Sequence, residues 1–233
     1  MAVGLKDLFY VTFILDDRYK FFVDGFFMTI LLALSSFAFG TLLGALFCYI
    51  RFSKSKIIKK VIDVVIGFFV QLPTLVFLMI MVYLVFGQSS LSVTVIVIIG
   101  LSIKSASYMS DIFYSAIKAT NEGEAEAARA LGMNKYQAFI YITLPQAIKN
   151  SISVYKNQFI TTLQETSVAS SLAIQELTKA STIVTSRTLD ALFCLISISI
   201  VYILIGYVGT AIINLIDNDS HLGDEAKWYK LEI

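Results

Sequence analysis

The sequence predicts an all-α integral membrane protein with about five transmembrane helices, and three observations predict it. Of 233 residues, 57% are hydrophobic and only 15% charged, with a mean hydropathy of +0.78, well outside the soluble average. Two runs, Gly25 to Ile50 and Ala191 to Ile216, hold no charged residue, and each is long enough to cross a bilayer. The basic residues are distributed by loop rather than gathered into one patch, as topology requires.

The composition also excludes function classes. A formal net charge of +1 gives no electrostatic reason for nucleic-acid binding. Cys48 and Cys194 sit in apolar runs, where a free cysteine behaves as a small hydrophobe, and their spacing fits no zinc site. Neither a disulfide nor a metal is expected. The single histidine, His221, lies in an acidic tail, so no Ser/His/Asp, Cys/His or His-cluster arrangement can form. Catalysis within the chain is not expected.

Residues 1–20 mix charged and aromatic side chains and lack the three-part pattern of a cleaved signal peptide, so a surface-lying amphipathic segment is the expectation. The first span covers about 24–50, with Gly40 and Gly44 four apart, a spacing that permits close helix contact. Arg51, Lys54, Lys56, Lys59 and Lys60 follow with no acid among them, and the positive-inside rule makes this loop cytoplasmic. The uncharged stretch from Val64 to Ile103 is too long for one span and is interrupted at Gly87–Ser92, which divides spans of about 62–86 and 92–118. Pro73 falls inside the first of these, where it should kink the helix and leave a carbonyl open to another partner. A fourth span follows at about 147–172 and a fifth at about 190–216. This order puts the N-terminus outside and the C-terminus inside a cytoplasmic membrane. Segments 51–60, 118–149 and 217–233 carry eleven Lys and Arg, against five in 1–24, 87–92 and 173–190.

Charges inside spans persist where they face protein, water or a partner. Lys104, Ser107, Tyr108, Asp111 and Ser115 form a polar stripe on the third span that faces a translocation path or a second subunit, unless the lysine snorkels and the aspartate lies close to the cytoplasmic interface. On the fourth span, Lys156 and Glu165 are nine apart, so both line one path only if the helix breaks between them. Asn157, Gln164, Thr166 and Ser167 add polar groups that line the same path or act as packing glue.

Between the third and fourth spans, residues 120–145 are a helix-forming, water-soluble island. Asn121 and Glu124 should form a capping box, with Gly132 ending that helix; Asn134 and Gln137 repeat the box for a second helix that Leu144 and Pro145 stop. Ala125, Ala128 and Leu131 fall three apart and make a small apolar face for another backbone to approach.

The string EAARALG, followed by LPQA, resembles the EAA motif of ABC-type importer permeases, whose two short helices dock into an ATPase subunit. Glu126, Ala127, Ala128, Gly132, Leu144 and Pro145 stand at the matching positions. SYMSDI, with Tyr108 and Asp111, and then LPQAIK, Asn157 and TLQETSV are similar to the polar amino-acid branch of that family. The chain departs from the branch at Tyr114, Ser115 and Ala116, at Glu124, at VQLP with Pro73, near Ser153 and Lys156, and at Gln164. The resemblance implies a type I importer permease with its coupling loop at 120–145, in a bacterial cytoplasmic membrane. It further implies a second permease subunit, identical or similar, an ATPase dimer carrying ATP and Mg, and an extracytoplasmic solute-binding protein, with no cofactor in this chain. The rival expectation is a stand-alone carrier or channel driven by an ion gradient through the intramembrane charges.

Overall fold

The computed structural model describes residues 4–228, with side chains as far as Leu215, Leu5 excepted; His221 and the acidic tail therefore lie outside the described side chains. Short helical turns open the chain: α1 (Leu5–Phe9), a π-turn at Tyr10–Ile14 and a 3₁₀ turn at Leu15–Asp17. Arg18 folds back beneath them, buried, and donates to the Val11 carbonyl at 2.6 Å.

The bundle is organised by α2 (Tyr19–Arg51) lying along α5 (Val93–Lys118), the most extensive helix contact in the fold. The reason is legible residue by residue. Gly25, Thr29, Ala33, Ser36, Gly40, Gly44 and Cys48 recur every three or four positions and form the buried stripe of α2, while Phe27, Leu31, Leu34, Phe39, Leu42 and Leu46 point outward. Small residues let two backbones close where lipid supplies no hydrophobic drive. A Cβ on Gly44 would stand 2.4 Å from the Met109 Cβ, and one on Gly40 2.6 Å from that of Ser105. The large apolar side chains face outward because the solvent there is hydrocarbon.

Between these helices run α3 (Lys56–Gln71) and α4 (Thr74–Met79), the latter extended by a π-turn to Val85. The expected kink at Pro73 is a full break: the two helical pieces meet at 105°. Leu72, restricted because a proline follows, adopts φ −73°, ψ 128°, and Pro73 then caps the next helix. Three helices, α2, α5 and the Ala191–Leu215 part of α10 (Ala191–Trp228), are long and apolar enough to span a membrane, and the bent pair makes a fourth if counted as one span.

The remaining helical rod, α8 (Leu144–Glu165), falls short of that measure because one of its faces is polar. It tightens into a 3₁₀ segment at Thr166–Leu172, and α9 (Leu177–Thr188), a helix not expected from the sequence, follows. Glu176 explains α9. Its side chain, fully buried, accepts from the backbone N–H groups of Thr178 and Lys179, each at 2.8 Å, and from the Tyr202 hydroxyl at 2.8 Å, tying the helix start to α10. Burial pushes the Glu176 carboxyl above its ordinary range, opposed by those hydrogen bonds. Thr29 of α2 completes the junction by accepting from the Leu177 N–H at 3.2 Å.

The island forms α6 (Glu122–Ala130) and α7 (Lys135–Ala138). Asn121 caps α6 through the Gly123 N–H, but Glu124 does not complete the box; its carboxylate accepts from the Gln146 side chain at 2.6 Å instead. Gly132 has φ +101°, as its helix-ending place requires, and the Asn134–Gln137 box is present. The expected stop at Leu144–Pro145 does not occur. A π-turn at Phe139–Thr143 joins α7 to α8, and Pro145 sits in the first turn of α8. A proline lacks the N–H and crowds the carbonyl four residues back; widening the preceding turn relieves both, so the rod runs on unbroken.

Candidate functional site

The Pro73 break sets the chemistry of the bundle centre. Ending α3 there strips helical partners from its last carbonyls, and α5 supplies replacements. Lys104, only 3% exposed, donates to the Leu72 carbonyl at 2.6 Å, and the Tyr108 hydroxyl donates to that of Val70 at 3.2 Å. On the other side of the break, the Thr74 hydroxyl donates to Glu165 Oε1 at 2.8 Å. Lys104 and Glu165 thereby lie 3.9 Å apart, a charge pair inside an apolar bundle, and Glu165 Oε2 is buried without a partner. A buried charge that retains a free acceptor can bind one more donor at little further desolvation cost.

Ser107 and Thr166 are fully buried: their hydroxyls donate to the carbonyls of Ile103 and Leu163. Asp111 is drawn away from Lys104 into a second cluster. Arg51, at the end of α2, bridges Asp63 at 2.8 Å and Asp111 at 2.6 Å while its guanidinium lies 4.2 Å from the Tyr114 ring centre. Lys59 donates to the Tyr114 hydroxyl at 3.0 Å. This cluster pins the ends of α2, α3 and α5 together at the basic end of the bundle. Sequence reasoning treated Arg51 only as a topology signal. Its pairing with acids 12 and 60 residues away has no local signature.

Because α8 is continuous, Lys156 and Glu165 leave it on different sides, and the break comes only after Glu165. Lys156 donates to the Asn214 side chain on α10, while Glu165 turns to α4 and α5. Asn150, Ser153, Asn157 and Gln164 form one exposed face of α8, with Thr161 half-buried among them and Ser167 just beyond. A polar face of this length has no stable position against hydrocarbon.

At the opposite end of the rod, Glu126, Ala127, Leu131, Gly132 and Pro145 are exposed and Leu144 is half-buried. The face expected to be shared by Ala125, Ala128 and Leu131 divides instead. Ala128 packs inward as α6 folds on α7 and the π-turn, and Leu131, 88% exposed, projects outward together with Tyr136 at 73%. The hairpin thus carries two large apolar side chains on its outside, between polar residues at both its ends.

Charge held in the centre of an apolar bundle is costly and serves no anchor, so a membrane protein keeps it where a polar solute or partner must be met. Residues 36–220 match the family described as binding-protein-dependent transport system inner membrane component, and the chain belongs to that family. Among its relatives, the probable amino-acid permease protein YxeN of Bacillus subtilis is 33% identical over 179 residues, covering 75% of this chain and 80% of the relative. The histidine/lysine/arginine/ornithine transport system permease protein HisM of Salmonella typhimurium is 29% identical over 206 residues, 82% and 86% of the respective lengths. The crystal structure of an amino acid ABC transporter with histidines has a chain similar in fold at a TM-score of 0.80 and 28% identity, covering 94% of this chain and all of that one. The MetNI methionine ABC transporter in an inward-facing conformation shares the fold at a TM-score of 0.69 and 18% identity.

Proposed function

We propose that the cargo of this permease subunit is a polar amino acid, imported with energy from ATP hydrolysed on a separate ATPase dimer. Five spans are proposed, α8 being the least apolar, with the N-terminus outside and the hairpin of α6 and α7 in the cytosol. The observation that carries the reading is the unbroken helical run from Lys135 to Glu165, about 45 Å long at 1.5 Å per residue. One end bears the exposed hairpin; the other bears the glutamate of the buried charge pair. A rod of this kind transmits a displacement as a rigid body, so closing ATPase subunits that grip the hairpin would move Glu165 against Lys104.

In this reading Glu126, Ala127, Ala128, Gly132, Leu144 and Pro145, together with Leu131 and Tyr136, form or support the docking surface. Lys104 and Glu165 offer opposite charges for the carboxylate and ammonium of a zwitterionic solute. Tyr108, Thr166, Ser107 and Ser167 shape that path, Asp111 closes it at the basic end with Arg51, and the Asn157–Gln164 face lines it against a second permease subunit. Lys156 anchors α8 to α10. An extracytoplasmic solute-binding protein delivers the cargo. The relatives named for amino-acid transport favour this cargo class.

The test is uptake of radiolabelled amino acids into proteoliposomes containing the chain, its ATPase and its binding protein. ATP-dependent uptake abolished by Leu131→Glu supports the assignment. Uptake that follows a proton or sodium gradient and ignores ATP would overturn it in favour of a carrier.

A further inference from the structure

The cavity at the basic end of the bundle belongs to neither proposed surface. It measures about 300 Å³ and lies where α2, α5 and α8 converge, walled by Cys48, Phe52, Phe113, Ile117, Ala147 and Ile148. Phe139 and Leu144, the two ends of the π-turn joining hairpin to rod, also line it. Its lining is almost wholly apolar. A dry apolar space of this size, open at the side of a membrane bundle, suits a hydrocarbon chain.

Charge at the rim selects among hydrocarbon-bearing ligands. Tyr49 and Phe52 are shared with a second, more polar cavity of about 420 Å³ that Ser53 and Lys54 also line. Lys54 is exposed and has no ion-pair partner among the described residues. Asp63 and Asp111, the acids that the end of α2 draws in, are already held by Arg51. An unpaired lysine in a cavity that shares two walls with an apolar slot complements an anionic headgroup over an acyl tail.

We propose that this cavity is a binding site for an anionic phospholipid, one acyl chain lying between α2, α5 and α8 and the phosphate facing Lys54. The bound chain packs on Phe139 and Leu144 and stiffens the joint through which the hairpin moves the rod. The lipid is thus a structural part of the coupling path. The proposal requires only that this end of the bundle lies at a membrane surface, whichever side that is.

The full-length chain carrying Trp228→Phe is given a single tryptophan at Phe139→Trp or, as a second wall reporter, Ile148→Trp, with Leu42→Trp on the outer face of α2 as the bilayer control. Each is reconstituted into phosphatidylcholine vesicles containing acyl-brominated phosphatidylglycerol or, at the same fraction, acyl-brominated phosphatidylcholine. The expected result is stronger quenching of either wall reporter by the brominated anionic lipid, equal quenching of the control by both, and a preference that falls about fivefold with Lys54→Ser. Equal quenching of the wall reporters by the two lipids means ordinary bilayer contact and overturns the site. No quenching by either lipid means that protein fills the cavity, and also overturns it. Because quenching reads the cavity independently of ATP, cargo and orientation, its outcome is separate from that of the transport assay.

Discussion

Replacing Lys104 by Met tests how the bundle keeps a charge at its centre. At 3.9 Å, and with an effective dielectric constant of about 20, the attraction between Lys104 and Glu165 is about 4 kcal/mol before desolvation is subtracted. Removing the ammonium leaves the Glu165 carboxylate facing an apolar core and deprives the Leu72 carbonyl of its donor. Breaking such a buried pair from one side costs about 3–5 kcal/mol. Glu165→Gln is milder, since the amide oxygen still accepts from Thr74. With Glu165→Gln present, Lys104→Met no longer strands a charge, so the double variant should be more stable than the sum of the singles by about 1–2 kcal/mol. The assay is a double-mutant cycle by denaturant unfolding in detergent, with ATP-driven uptake measured alongside. Strict additivity, within about 0.5 kcal/mol, would refute the argument that the two charges depend on one another.

Gly132→Val should weaken ATPase capture about tenfold or more without changing the bundle, because the left-handed backbone there resists a β-branched residue although nothing crowds the site; pull-down of the partner ATPase measures it. Gly44→Leu should destabilise the bundle by about 3 kcal/mol or more by forcing α2 off Met109, with a lower unfolding midpoint in detergent. Arg51→Met should free Asp63 and Asp111 and loosen the basic end of the bundle, seen as faster hydrogen exchange at the ends of α2, α3 and α5. Glu176→Ala should cost about 2 kcal/mol by uncapping α9 and releasing Tyr202, read from the same unfolding midpoint.

Those perturbations act at different levels, and the rod connects them. Gly132 ends α6 within the hairpin, the π-turn joins the hairpin to α8 ahead of Pro145, and Glu165 lies at the far end of α8 beside the Pro73 break. Breaks and wide turns sit at both ends of the rod while its interior is regular helix. Motion is therefore expected at Thr166–Leu172, beyond the far end of the rod, where backbone hydrogen bonding departs from the α pattern.

By itself the sequence determined the membrane character of the chain, the placement of α2, α5 and α10, the glycine turn at Gly132 and the Asn134–Gln137 box, because hydropathy runs and caps act over a few residues. Local rules foresaw the bend and the freed carbonyl at Pro73, though not its full extent, and failed at Pro145. Neither VQLP nor TLPQA says whether a proline breaks a helix or is absorbed by it, since that depends on what receives the freed carbonyls and on the shape of the turn before it. At Pro73 the answer came from Lys104 and Tyr108, more than thirty residues further along the chain; at Pro145 it came from the π-turn. The capping role of Glu124 was lost to Gln146, and Asp111 left the stripe of Lys104 for Arg51. In each case a charged or polar group inside a low-dielectric bundle took the partner that three-dimensional packing brought within reach, and periodicity along one helix carries no record of that choice.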